Sequence, residues 1–198
     1  MKHPIYAAAA ATTPSYDGGP VWIDTADTAK LIRANLARAF PGVKFYVRSD
    51  NYSGGSSIDI YFDGVVDGLF VRYDYDGNRV DLADPVTYDK VDHTNGRWGH
   101  LRKPGAPSKR DVDAVVSVFA GKGFDGMIDM SFYKDAWLLP DGSAAWGHSD
   151  GTVGSMGVFP GYDHAAPNGS AIKVHFGVSH VFVNDDLPWD VRSKKKGN

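Results

Sequence analysis

Hydrophobic and polar positions alternate in several stretches of this chain. Val43, Phe45 and Val47 are spaced by two, as are Ile58, Ile60 and Phe62, the period of strands that bury one face. Between these runs stands the polar stretch Arg48-Ser49-Asp50-Asn51-Tyr52-Ser53-Gly54-Gly55-Ser56-Ser57, which reads as a loop joining the two strands. Ile172, Val174, Phe176 and Val178 alternate again, and Val181 and Val183 continue the run, which predicts one long strand crossing the sheet. Ile128, Met130 and Phe132 alternate as well, ahead of Ala136-Trp137-Leu138-Leu139 and a turn at Pro140-Asp141-Gly142. A β-hairpin is predicted over residues 69–82 around Asp76-Gly77. Residues 92–100 and 104–107 read as an ordered loop, and residues 147–169, rich in Gly, Ser, Asp and Pro, as a long one.

Two segments repeat at helical spacing instead. Ile32, Leu36, Ala39 and Phe40 form one apolar stripe, with Asp24 or Thr25 able to cap its start and Phe40-Pro41-Gly42 to end it. Val112, Val115, Val116 and Phe119 form another, preceded by Ser108 and Asp111 at capping-box spacing and followed by Gly121 and Gly123. The resulting order is α-β-β, an inserted hairpin and loop at about 65–107, then α-β-β. It predicts an α+β fold, a two-layer antiparallel or mixed sheet with both helices on one face. Residues 1–20 read as an irregular N-terminal arm, 21–190 as a single domain, and 191–198 as a basic tail.

Composition changes this picture in a few places. The chain has 198 residues, no cysteine, and a net charge of −3. Disulfides and thiolate zinc sites are therefore excluded. The charge opposes a generally basic nucleic-acid binder, yet it is too small for DNA mimicry. All 24 acidic residues are Asp, and seven of them precede Gly, which signals many tight turns. No apolar run approaches the roughly 20 residues needed to cross a bilayer, so the expectation is a soluble, cytoplasmic protein.

Several phrases then resemble one family. Thr28-Ala29-Lys30-Leu31-Ile32-Arg33, Phe40-Pro41-Gly42-Val43-Lys44-Phe45, Val47-Arg48-Ser49 and Tyr52-Ser53-Gly54-Gly55-Ser56-Ser57-Ile58 run in its order, followed by Val115-Val116, Gly123-Phe124-Asp125-Gly126-Met127-Ile128-Asp129 and His180-Val181-Phe182-Val183. Together they resemble the large polyvalent protein associated domain, twenty-ninth of that series, over roughly residues 25–184 without most of 65–107. The resemblance implies phage or conjugative-element biology and protection of incoming DNA against host defences. It carries no catalytic residue.

The chemistry-bearing residues are these. Arg48 and Tyr52, in the polar stretch, could hold a phosphate or a partner's acidic group, but the lysine and spacing of a P-loop are absent. Arg97 and Trp98 stand among His93, His100, Arg102 and Lys103, a cation–aromatic cluster suited to a base or a protein interface. With the acidic hairpin residues Asp74, Asp76 and Asp81, these make the expected partner interface. The alternative is a nucleic-acid-binding accessory module using Arg48, Arg97, Arg102, Lys103 and the tail residues Lys194, Lys195 and Lys196. Asp125 and Asp129 lie four apart, but Asp125 precedes Gly and reads as a turn residue. The groupings His148 with Asp150, Asp163 with His164, and His175 with His180 match no metal-site spacing, and no Gly-x-Ser-x-Gly motif is present. The expectation is thus a non-enzymatic protein without cofactor or metal that engages a host protein or nucleoprotein complex.

Overall fold

The computed structural model describes residues 2–72, 98–125, 130–147 and 170–195. In chain order the elements begin with α1 (Pro4–Ala10), β1 (Val21–Ile23), α2 (Thr25–Ala39), β2 (Phe45–Tyr52), β3 (Gly55–Phe62), β4 (Val65–Arg72) and β5 (Trp98–Arg102). Next come α3 (Lys109–Val116), a 3-10 turn at Ser117–Phe119, β6 (Lys122–Asp125), β7 (Met130–Tyr133), β8 (Asp135–Leu138) and β9 (Ala144–Gly147). The last are β10 (Ile172–Phe176), β11 (His180–Asn184) and α4 (Trp189–Lys195).

Both predicted helices form where their caps place them. The Asp24 carboxylate accepts the Asp27 N–H at 2.7 Å and starts α2, which buries Thr28, Leu31, Ile32, Asn35 and Leu36. Ala39 is exposed, so the buried stripe lies a turn nearer the N-terminus than the predicted one. Ser108 and Asp111 exchange both bonds of a capping box at the start of α3, and Val112 and Val116 are buried on its inner face. The Ser108 bonds hold the Asp111 carboxyl below its ordinary range.

The α+β class is as predicted, but the strands form two mixed sheets. The first has the order β1-β10-β8-β9, with β1 and β10 parallel and the other pairs antiparallel. The second has the order β11-β3-β2, with β11 and β3 parallel and β2 antiparallel to β3. Helix α2 packs on β2 and β3, and α3 packs on α2 and β11, so the predicted two-helix layer covers one face of the second sheet. Leu31, Ile32, Leu36, Val112 and Val116 meet Val47, Ile58, Ile60, Phe62 and Val183 in the core between them. Two ladders, β4 with β5 and β6 with β7, complete the described strands.

The predicted long strand over 172–183 is two strands in different sheets. After Phe176 the chain crosses through Gly177, Val178 and Ser179, whose backbone groups bond several separate segments. Gly177 N–H donates to Ile23 O at 2.7 Å, Gly121 N–H donates to Val178 O at 2.7 Å, and Ser179 N–H donates to Ser56 O at 2.9 Å. The Ser56 hydroxyl donates to Gly177 O at 2.8 Å and lies 3.1 Å from the Thr25 hydroxyl. Gly121 must be glycine here, since a Cβ would collide with the Phe176 carbonyl oxygen. Alternation of apolar residues continues across the break because both sheets share one core, which is why periodicity alone misses it.

Other expectations also change. The predicted arm contains α1, whose Pro4 supplies a preset first helical residue and whose Ile5, Tyr6 and Ala9 are buried. The Tyr6 hydroxyl donates to Ser170 O at 2.5 Å, and His3 N–H donates to Pro140 O at 2.8 Å, tying this helix to the first sheet. The basic tail begins as α4. The polar stretch after Val47 is strand as far as Tyr52, with only Ser53 and Gly54 between β2 and β3. Residues 98–100, predicted as loop, belong to β5, which pairs antiparallel with β4. The hairpin over 69–82 and the loop over 147–169 lie largely outside the described residues.

Lys134, between β7 and β8, is mostly buried, with its ammonium 3.4 Å from Ser117 O. Burial pushes its pKa down to about 8, against the pull of Asp113. The folded state therefore holds this proton less tightly than the unfolded chain, and stability rises with pH from about 8 toward 10.5. Lys134→Met is expected to be more stable than the parent at pH 7, by on the order of 1–2 kcal/mol, with the two converging toward pH 10.5 in thermal melts. Gly121→Ala is expected to cost more than about 2 kcal/mol in urea unfolding. Gly54→Ala, whose Cβ meets nothing within 4 Å, should stay within about 0.5 kcal/mol.

Candidate functional site: the outer face of the second sheet

A strand alternates its faces, so the residues between the buried ones of β2, β3 and β11 all point away from the core. Register sets them in rows. Tyr46 faces Tyr61, Arg48 faces Asp59, Asp50 faces Ser57, and Tyr52 faces Gly55. On the other side of β3, β11 sets His180 beside Ser57, Phe182 beside Asp59 and Asn184 beside Tyr61. Asp59 thus sits mid-sheet, between Phe182 and Arg48 across the strands and between Ser57 and Tyr61 along its own.

Arg48 turns away from Asp59. Its guanidinium donates to both carboxylate oxygens of Asp190 in α4, at 2.7 and 2.8 Å, and lies 5.8 Å from the Tyr61 ring centre. Lys44 stands 5.0 Å over the Tyr46 ring, and His180 stacks on Phe182 with centroids 5.8 Å apart. Asp59 is half-buried and, among the described residues, has no hydrogen-bond or ion-pair partner. Burial and then the nearby Asp50 charge raise its pKa above the ordinary carboxylate value. Beside this face the chain leaves β11, buries Leu187 and Pro188, and turns into α4, where Arg192 bonds Leu187 O at 3.2 Å and pairs with Asp186. A cleft of about 580 Å³ lies between face and helix, lined by Arg48, Tyr61, Asn184, Trp189, Asp190 and Arg192 among others. Large apolar rings remain in water here: Trp189 is 81% exposed, Phe182 50% and Tyr52 49%.

A second cleft, of about 400 Å³, lies at the crossover between the sheets, where Trp22, Asp24, Asn51, Ser56, Lys122 and His175 contribute to its walls. Trp22 lies against His175 with ring centres 4.9 Å apart and covers Gly177. His175 Nδ1 is 3.2 Å from Asp135 Oδ1, and Lys173 Nζ is 3.8 Å from Asp135 Oδ2, which has no hydrogen bond. Asp135 and His175 are both buried. The Thr25 and Ser56 hydroxyls are committed to the Gly177 carbonyl, so this cleft is built mainly by groups that hold the crossover. No group of three or more candidate metal ligands occurs among the described residues.

The structure places the predicted site residues unevenly. Arg48 and Tyr52 share the outer face, as strand residues rather than loop residues. Trp98 is in β5, and its side chain is outside the described set, as are Arg97, Asp74, Asp76 and Asp81. Lys103 donates to Asp63 at 2.5 Å, and Arg102 Nε is buried. Lys194 and Lys195 end α4, and Lys196 is outside the described residues. So are His93, Asp129, His148, Asp150, Asp163 and His164. Asp125 closes β6, and His175 and His180 belong to different sheets. Asp59, Phe182, Trp189 and Asp190 were not singled out. The signal for the first two is in the alternation itself, at the positions between Ile58 and Ile60 and between Val181 and Val183.

Residues 23–94 match the family described as Large polyvalent protein associated domain 29, the family its motifs resemble. The match ends before α3. It associates the chain with proteins of phages and mobile elements. Comparison with curated proteins returns no match, and neither does comparison with solved structures. No helix among the described residues is long and apolar enough to cross a membrane. Because the Arg48–Asp190 pair is about half exposed on both sides, Arg48→Ala should change unfolding free energy by less than about 1 kcal/mol, measured in urea.

Proposed function

We propose that this is a phage or mobile-element interaction protein that binds a host DNA-directed defence complex, of restriction or CRISPR type, and inhibits or modulates it without catalysis. The contact surface is the outer face of the second sheet. The observation that supports this reading is a three-stranded face, hydrogen-bonded along its length and packed on its core side, from which Tyr52 and Phe182 stand half in water. Aromatic rings fixed on strands lose little freedom on binding and dominate interface energies.

The nucleic-acid alternative draws less support from the geometry. Arg48 is engaged by Asp190 and Lys103 by Asp63, so two of its proposed phosphate contacts are committed within the chain. Asp50 and Asp59 would face a phosphate backbone with like charge.

The test is DNA cleavage by purified restriction and CRISPR complexes of the host, titrated with this protein. Inhibition by the parent is expected, with at least a tenfold loss for the double variant Tyr52→Ala, Phe182→Ala at unchanged melting temperature. Parent protein without effect on any of them, but with DNA affinity falling steeply with salt, would replace this reading by the accessory-module one.

A further inference from the structure

Resting on the interface reading above, we infer that the outer face takes an arginine-bearing segment of its protein partner, with the guanidinium seated between Asp59, Asp50 and the Phe182 ring. The chain itself shows what this face does with an arginine. Arg48 lies beside Tyr61 and is gripped by both oxygens of Asp190, so a ring and a carboxylate together hold one guanidinium. One row across, the same two groups recur. Phe182 stands beside Asp59 in register, with Asp50 on the neighbouring strand one row along. Here no cation of the chain pairs with them among the described residues, because Arg48 is turned to Asp190.

An uncompensated carboxylate in mid-sheet is otherwise costly. Burial and Asp50 both disfavour its charge, as the raised pKa of Asp59 records. Seryl and aromatic neighbours do not neutralise it. A cation from outside would relieve both effects at once, and arginine suits the position better than lysine. Its plane can lie on the Phe182 ring while its paired N–H groups meet a carboxylate. His180 stacks on Phe182 from the same strand and holds that ring on the face.

The experiment uses the full chain and a fluorescein-labelled peptide of nine residues carrying three arginines, followed by anisotropy at pH 7.5. Control peptides carry lysine or citrulline in their place, and a control variant is Asp113→Asn. The expected affinity order is arginine over lysine over citrulline, with Asp59→Asn weakening the arginine peptide at least tenfold and Phe182→Ala at least fivefold. Asp59→Asn should melt no lower than the parent, so a folding defect would not explain the loss. Asp113→Asn removes the same formal charge from an exposed position on α3, which packs on the opposite side of the sheet, and should leave binding within twofold. Equal losses for Asp59→Asn and Asp113→Asn would reduce the effect to net charge and overturn the inference, as would equal binding of the citrulline peptide. If the arginine peptide binds as expected while no defence complex is inhibited, the seat stands and the proposed target falls. Inhibition that survives Asp59→Asn and Asp50→Asn keeps the target and removes the seat.

Discussion

The crossing of the chain from one sheet to the other at Gly177, Val178 and Ser179 is the constraint on which the arrangement depends. Three residues leave the end of β10 and enter β11, and their backbone groups are bonded to β1, to the start of β3 and to Gly121 just before β6. Those bonds fix the register of β11 against β3, because Ser179 is anchored to Ser56 one position before the His180–Ser57 pair. A register slip by one residue would exchange Phe182 with Val183 and reverse the two faces of the strand. The polarity of the outer face is therefore decided at the crossover, several residues away from it.

The two sides of the second sheet do different work with the same alternation. Inward, Ile58, Ile60 and Val183 are sealed by α2 and α3 into a common core. Outward, the intervening positions are aromatic, charged and hydroxylic, and α4 approaches them through an exposed ion pair. An exposed face of this kind on a packed sheet is stiff without being covered, which is the condition under which recognition costs little ordering entropy. The crossover cleft is different in character. Its polar groups are turned on one another, as in the Thr25–Ser56–Gly177 and Lys173–Asp135–His175 groups.

Much of this was legible in the sequence where a local rule applied. Asp24 and Ser108 mark their helices by capping chemistry, and Val47, Ile58, Ile60 and Phe62 mark the buried face by period two. The fold class followed from their order. What escaped were features set by distant partners. Nothing local says that Gly177 ends one sheet, because its reason is a carbonyl in β1 and an indole from Trp22. Residues 48–52 look like loop by composition, yet strand β3 beside them supplies the ladder that holds them extended. The N-terminal helix is short, and its burial against β1 and β10, rather than its propensity, is what keeps it formed. Arg48 was found for its charge; Asp59 and Phe182 were passed over because each appears as one polar or apolar letter within a strand.

The crossover also bears on how the molecule opens. The Gly177 amide bonds Ile23 at the end of the β1–β10 ladder, the Ser179 amide bonds Ser56 at the start of the β11–β3 ladder, and the Gly121 amide bonds Val178 between them. Hydrogen exchange at these three amides therefore reads the junction itself: Gly177 follows opening of the first sheet's edge, Ser179 that of the second, and Gly121 the linker between them.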